Sequence, residues 1–212
     1  MINILVGLPG AGKTYVLTRK AIEFVKAGLD IYPYYAYQLT GKEFEPYKKQ
    51  IHYWETTEDL INLEQGVILL DEAQVWFNSR TWQDLDIRLQ YKLQQHRKDG
   101  LDIWGSVQHE SRLDPVMRQL ITHYYMCNKI ISSRENAKKV WGIIRVSVYY
   151  PEDIGKAQRV PAYGEWFLIR RRFVDAYNTN AKIKVEERER PLKHIVHKCL
   201  KKGCDFTRIT HR

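Results

Sequence analysis

Apolar positions fall in two rhythms along this chain: short unbroken runs, and longer stretches in which every third or fourth residue is apolar. Residues 2–6 (Ile-Asn-Ile-Leu-Val) form a β-prone run ended by glycines, which predicts a buried strand. Residues 14–27 place Val16, Leu17, Ala21, Ile22 and Val25 on one side of a helix closed by Gly28. Residues 31–37 are β-prone again, with Pro33 putting them at a sheet edge or bulge, and 51–54 read as a further short strand. Thr57 opens a short helix with acidic first-turn residues that ends at Gly66. The wholly apolar run 67–70 predicts a buried strand that delivers Asp71 and Glu72 to its carboxyl end. Residues 82–98 read as an amphipathic helix with Leu85, Leu89, Tyr91, Leu93 and His96 near helical spacing, stopped by Asp99-Gly100. A strand over 101–107 follows, ended by Gln108. Asp114-Pro115 caps a helix through Leu120, and 123–131 form another core strand.

Strands that alternate with helices make a βαβ series, so the expected fold is α/β, with a largely parallel central sheet flanked by helices. After residue 140 the pattern changes. Residues 141–150 and 165–174 are β-prone with polar interruptions and predict antiparallel additions at one sheet edge. The expected organisation is a domain over 1–180 and a basic tail over 181–212, without internal repeats.

The chain has 212 residues, 44% of them hydrophobic, enough to bury a sizeable core. Lys and Arg number 34 against 25 Asp and Glu, a net charge of +9, which favours an acidic partner such as nucleic acid or an anionic membrane surface. Cys127, Cys199 and Cys204 are too few for a disulfide scaffold and fit a reducing compartment. No stretch reaches the roughly 18 apolar residues of a membrane span, and the apolar start has no basic region before it. The expectation is a soluble protein of the cytosol.

Candidate chemistry begins at Gly7-Leu8-Pro9-Gly10-Ala11-Gly12-Lys13-Thr14, which matches the P-loop pattern at every fixed position. Glycines let successive backbone N–H groups curl around a phosphate, and the helix that starts there concentrates unpaired donors and positive dipole. Its nucleotide-binding set is Gly7, Pro9, Gly10, Ala11, Gly12, Lys13, Thr14 and Tyr15. Lys13 is expected at the β- and γ-phosphates, and the Thr14 hydroxyl on Mg²⁺. Asp71, at the end of an apolar strand, suits the same metal through its water shell, and Glu72 suits a base that polarises the attacking water. An acid in that place argues for hydrolysis rather than transfer to a bound acceptor.

Gln108 ends the next strand, and in a parallel sheet such ends converge on the ligand crevice, where its amide can sense the γ-phosphate or place the water. An extra cation for the transition state can come from Arg80, Arg97, Arg112 or Arg118. Asn128-Lys129 is followed by Ile130-Ile131 without the acid that reads a guanine edge, so ATP is the expected nucleotide. The tail residues His194, His197, Cys199 and Cys204 match no standard zinc spacing, and a basic tail with incidental ligands is the better reading. Tyr32, Tyr34, Tyr35 and Tyr37 can stack bases, yet alternation at an edge strand favours core packing.

Together, the P-loop, Leu69-Leu70-Asp71-Glu72-Ala73-Gln74, Asn78-Ser79-Arg80, the His96-to-Ile103 segment and Gln108 resemble the zonula occludens toxin family. Its members include filamentous-phage assembly ATPases, and it is similar to the larger group of DNA-pumping ATPases. The likeness covers about residues 1–180, with Tyr177-Asn178-Thr179 where relatives often carry Tyr-Asp-Thr. The resemblance implies an ATPase with bound ATP and Mg²⁺ that drives phage or viral DNA through the host envelope or into a capsid. It implies a ring, such as a hexamer, in which Arg97 or Arg80 acts on a neighbour's nucleotide. Filamentous-phage members continue into a membrane span and an outer domain, which this chain lacks. That turns the expectation toward a packaging motor in the host cytoplasm, or toward coat or membrane partners that bring it to the inner membrane. Two other classes compete: a nucleotide-dependent assembly scaffold with slow hydrolysis, and a small P-loop nucleotide kinase, against which Asp71-Glu72 and Gln108 argue.

Overall fold

The computed structural model describes residues 1–77, 86–135, 139–154, 156 and 158–178, with the backbone alone described at 132–135 and 139–140. The chain divides into a unit Met1–Lys182 and a unit Ile183–Arg212, the second of which lies outside the described residues, as do its candidate zinc ligands.

A seven-stranded sheet organises the first unit, in the order β2-β4-β5-β1-β6-β7-β8. Its elements are β1 (Ile2–Val6), β2 (Ile31–Pro33), β4 (Gly66–Leu70), β5 (Leu101–Val107), β6 (His123–Glu135), β7 (Lys139–Tyr149) and β8 (Tyr163–Arg170), with α1 (Lys13–Lys26) following β1. The first five strands in that order pair in parallel, and β7 and β8 add antiparallel to β6. This is the expected α/β arrangement with its antiparallel edge. β1 is buried at every position because it is the central strand, flanked by β5 and β6. β3 (Gln38–Leu39) and β9 (Tyr177–Asn178) form a separate two-stranded ribbon.

α1 places Val16, Leu17, Ala21, Ile22 and Val25 in the core against Leu5, Val67, Leu69 and the inner face of β7. Each such side chain stabilises the fold by about 1.5–3 kcal/mol relative to exposure. α2 (Thr57–Ile61) begins with a capping box, in which Asp59 N–H donates to Thr56 Oγ1 at 3.2 Å and Thr56 N–H donates to Asp59 Oδ2 at 2.8 Å. α3 (Ile87–Gln95) is capped by Asp86 and buries Leu89 and Leu93, with His96 at its end, whereas Tyr91 stands in solvent. The spacing of Leu89, Leu93 and His96 is as expected, but the helix stops at Gln95 rather than Lys98, Leu85 lies outside the described residues, and Tyr91 falls outside the narrow buried stripe. α4 (Pro115–Leu120) starts at Asp114 as its sequence predicts.

α2 stops at Ile61 rather than running to Gly66, β2 stops at Pro33 rather than at Tyr37, and three further elements differ from expectation. Residues 51–54 make isolated bridges to Ile31 and Tyr34 rather than a strand, because β2 itself ends at Pro33. The 165–174 segment stops being extended at Arg170, and α5 (Arg171–Val174) turns Phe173 edge-on to Tyr15. The strand expected to end at Ile131 continues to Glu135, extended by its antiparallel pairing with β7. Of the tyrosine set, Tyr34 and Tyr37 are buried: Tyr34 packs on Trp54 and Trp76, and the Tyr37 hydroxyl meets that of Thr18 at 2.6 Å.

Candidate nucleotide site

The loop between β1 and α1 emerges at the carboxyl edge of the central strand. Gly10 (φ 78°) and Gly12 (φ 93°) both lie in the left-handed region that other residues rarely adopt. The loop is also tightly supported from below. A Cβ at Gly7 would stand 2.7 Å from the Cys127 carbonyl oxygen, and one at Gly12 would stand 2.3 Å from Ile144 Cδ1. Gly12 occupies the N-cap of α1 without a side-chain cap, and the first turn holds no acid. The first N–H groups of α1 are therefore left to an anion.

Lys13 lies across the loop, its Nζ donating to the carbonyls of Gly7 at 2.8 Å and Leu8 at 3.2 Å. Burial draws its pKa below the ordinary lysine value, and the Asp71 carboxylate offsets part of that. Thr14 Oγ1 donates to Asp71 Oδ2 at 2.9 Å, joining the start of α1 to the end of β4. On its other side Asp71 Oδ1 accepts the Ser106 hydroxyl at 2.5 Å, and Ser106 Oγ in turn accepts the Glu72 N–H at 3.1 Å. Glu72 is exposed, and its backbone is left-handed (φ 55°, ψ 52°), an uncommon state for a residue with a side chain. Gln108 follows Val107, the register partner of Val6, and so stands beside the start of the loop.

The structure thus gathers Gly7, Pro9, Gly10, Ala11, Gly12, Lys13, Thr14, Asp71, Glu72 and Gln108 at one end of the sheet. Pro9 has no N–H and can serve by shape alone. Tyr15 is different: its ring is buried, its hydroxyl donates to the Leu168 carbonyl at 2.7 Å and accepts the Arg170 N–H at 3.2 Å, and only its backbone is left for a phosphate. Arg97 follows α3 and precedes β5, at the amino edge of the sheet. The seven residues of β5 hold it about 20 Å from the loop of its own chain. Arg112 is exposed, Arg118 lies in α4, and Arg80 lies outside the described residues. Ser106 escaped the sequence reading because nothing local marks it; its role comes from the β4–β5 register.

The family model for zonular occludens toxin (Zot) matches residues 42–141. Residues 42–141 are thus similar to the Zot domain. The family resemblance read from the residues is borne out. Among solved structures, this chain is similar to the N-terminal domain of zonular occludens toxin from Neisseria meningitidis, at 15% identity over 84% of this chain and 98% of that one, with a TM-score of 0.48. It is similar to B204, the DNA-packaging ATPase of Sulfolobus turreted icosahedral virus, at 16% identity over 76% and 98%, with a TM-score of 0.50. The flagellar accessory protein FlaH of Methanocaldococcus jannaschii gives 12% identity over 87% and 89%, with a TM-score of 0.49. No curated protein matches the chain in sequence. What this chain shares with B204 is the α/β fold, a mostly parallel sheet flanked by helices. No helix among the described residues is long and apolar enough to cross a membrane.

Proposed function

We propose that this chain is an ATP-hydrolysing motor of phage or viral assembly that drives DNA export or packaging as a self-associated ring. The observation that carries the reading is the Thr14–Asp71 hydrogen bond at the foot of a glycine loop whose helix N-terminus is uncapped. The donor set fits Mg²⁺: a hydroxyl and a carboxylate oxygen lie 2.9 Å apart, and such a cation takes one or two protein oxygens beside substrate phosphates. When bound, that ion neutralises phosphate charge. The chain's own groups do the rest. Backbone N–H groups from Gly10 to Tyr15 hold the phosphates, and Lys13 exchanges its loop carbonyls for phosphate oxygens. The Glu72 carboxylate takes the proton of the attacking water, and Gln108 orients that water. In a ring, Arg97 reaches a neighbour's nucleotide rather than its own, because the length of β5 separates it from its own loop. The motor works in the host cytoplasm, with coat or membrane proteins as partners.

ATP hydrolysis by the purified chain, with and without single- and double-stranded DNA at two salt concentrations, tests the reading. Stimulation that fades as salt rises is expected. Hydrolysis indifferent to DNA would reject the motor and leave an assembly ATPase. Hydrolysis unchanged by Lys13→Ala would reject the site itself.

A further inference from the structure

The antiparallel flap of β7 and β8 departs from the usual pattern of a one-sided sheet. Ile144, Val146 and Val148 of β7 and Phe167 of β8 are buried in the α1 core. By alternation the opposite face should be polar. Instead it carries Trp141, Trp166 and Leu168, which are 49%, 64% and 53% exposed. The register sets arginines among them: Arg145 is opposite Trp166, and Arg170 is opposite Trp141. The Arg145 guanidinium lies 5.9 Å from the Trp166 ring centre. Among the described residues neither arginine has a carboxylate partner. β7 contains no Asp or Glu, and Glu165, the single acid of β8, lies on the other face, where it accepts from Lys20 at 2.8 Å.

Exposed indoles interleaved with uncompensated guanidinium groups match one recognition chemistry, that of unpaired bases stacked on rings with phosphates on the cations. A duplex hides the faces of its bases from such a surface. A second copy of this chain, with its net charge of +9, brings like charge to these arginines, whereas a polyanion complements them. We propose that the outer face of β7–β8 is a platform for single-stranded nucleic acid. The inference rests on the DNA-linked function proposed above and gives it a surface distinct from the nucleotide loop. The two are joined through β7, whose inner side presses Ile144 toward Gly12.

The full chain is titrated against a labelled oligothymidylate of about 20 nucleotides, at low salt and without ATP. Tryptophan quenching is expected, with affinity that falls as salt rises and exceeds that for a duplex of equal length. Trp166→Ala and Arg145→Ala should each weaken binding about tenfold, while Trp166→Phe retains most of it. Basal ATP hydrolysis without DNA should be unchanged in all three variants, which reports that they fold. Affinity insensitive to Trp166→Ala and Arg145→Ala, or no preference for the single strand, overturns the proposal. A change in oligomeric state on Trp166→Ala with oligonucleotide binding intact overturns it in favour of an interface between copies. Trp166-dependent binding by a chain that hydrolyses no ATP upholds this face and rejects the ATPase reading.

Discussion

Ser106 donates its hydroxyl to Asp71 Oδ1 at 2.5 Å while its oxygen accepts the main-chain N–H of Glu72 at 3.1 Å. One serine on β5 thereby holds both acids that follow β4. The pairing of Leu70 with Gly105 makes this possible, since one step further along each strand sets Asp71 against Ser106. With Thr14 on its other oxygen, Asp71 is fixed between two hydroxyls.

Replacing Ser106 with Ala should therefore lower kcat by roughly ten- to a hundredfold and raise the Mg²⁺ concentration needed for turnover, as loss of an orienting partner does at metal sites. Steady-state hydrolysis across a metal titration, with circular dichroism to verify folding, measures both. Unaltered kcat and metal dependence would remove Ser106 from the site.

Glu72 holds a left-handed backbone at φ 55° and ψ 52°. A side chain there costs about 1–2 kcal/mol that glycine avoids. Glu72→Gly is expected to be more stable than Glu72→Ala by about 1 kcal/mol in urea denaturation, while both variants lose hydrolysis. Equal stabilities would show that the backbone at 72 is not strained.

At Gly12 two obstacles coincide, the φ of 93° and the approach of Ile144 Cδ1 to 2.3 Å from any added Cβ. Gly12→Ala should destabilise the chain by about 1–3 kcal/mol and abolish nucleotide binding. Combining it with Ile144→Ala removes the overlap but not the backbone strain. The double variant should stay about 1–2 kcal/mol less stable than Ile144→Ala alone, measured by chemical denaturation.

His96 is buried at the end of α3, with Nδ1 against the Leu93 carbonyl at 2.7 Å and Nε2 without a partner among the described residues. Burial holds its pKa below the ordinary 6.5; the N-terminus and Arg97 push the same way, while the Leu93 carbonyl and Asp102 oppose. Lys92, which lines a small cavity together with His96, is ion-paired to Asp99. The unfolded chain therefore binds the proton more readily. His96 contributes full stability above pH 6.5 and loses it as the pH falls toward and through the folded pKa. Urea midpoints at pH 7 and pH 5 should fall further apart in the unaltered chain than in His96→Met; equal differences would show that this imidazole does not govern the acid response.

The loop at 7–14, the helix after it and the Asp71-Glu72 pair were legible in the sequence because each is local. Glycines at fixed spacing, a 3.6-residue period and an acid directly after an apolar run carry their meaning within a few residues of chain. The order of strands and helices likewise determined the α/β class and its antiparallel edge. Strand registers are not written locally, and the remainder followed from them. They set Ser106 against Asp71, Ile144 beneath Gly12, and Trp166 beside Arg145 on an exposed face. Arg97 drew attention as part of the His96-to-Ile103 segment that carries the family resemblance, yet the direction of β5 puts it at the far edge from its own loop. Tyr15 sits next to Thr14 in sequence, but the helical turn sends its ring to β8. Local chemistry thus named the phosphate loop, while the pairing of segments far apart in the chain decided which side chains support it and which face is left to solvent.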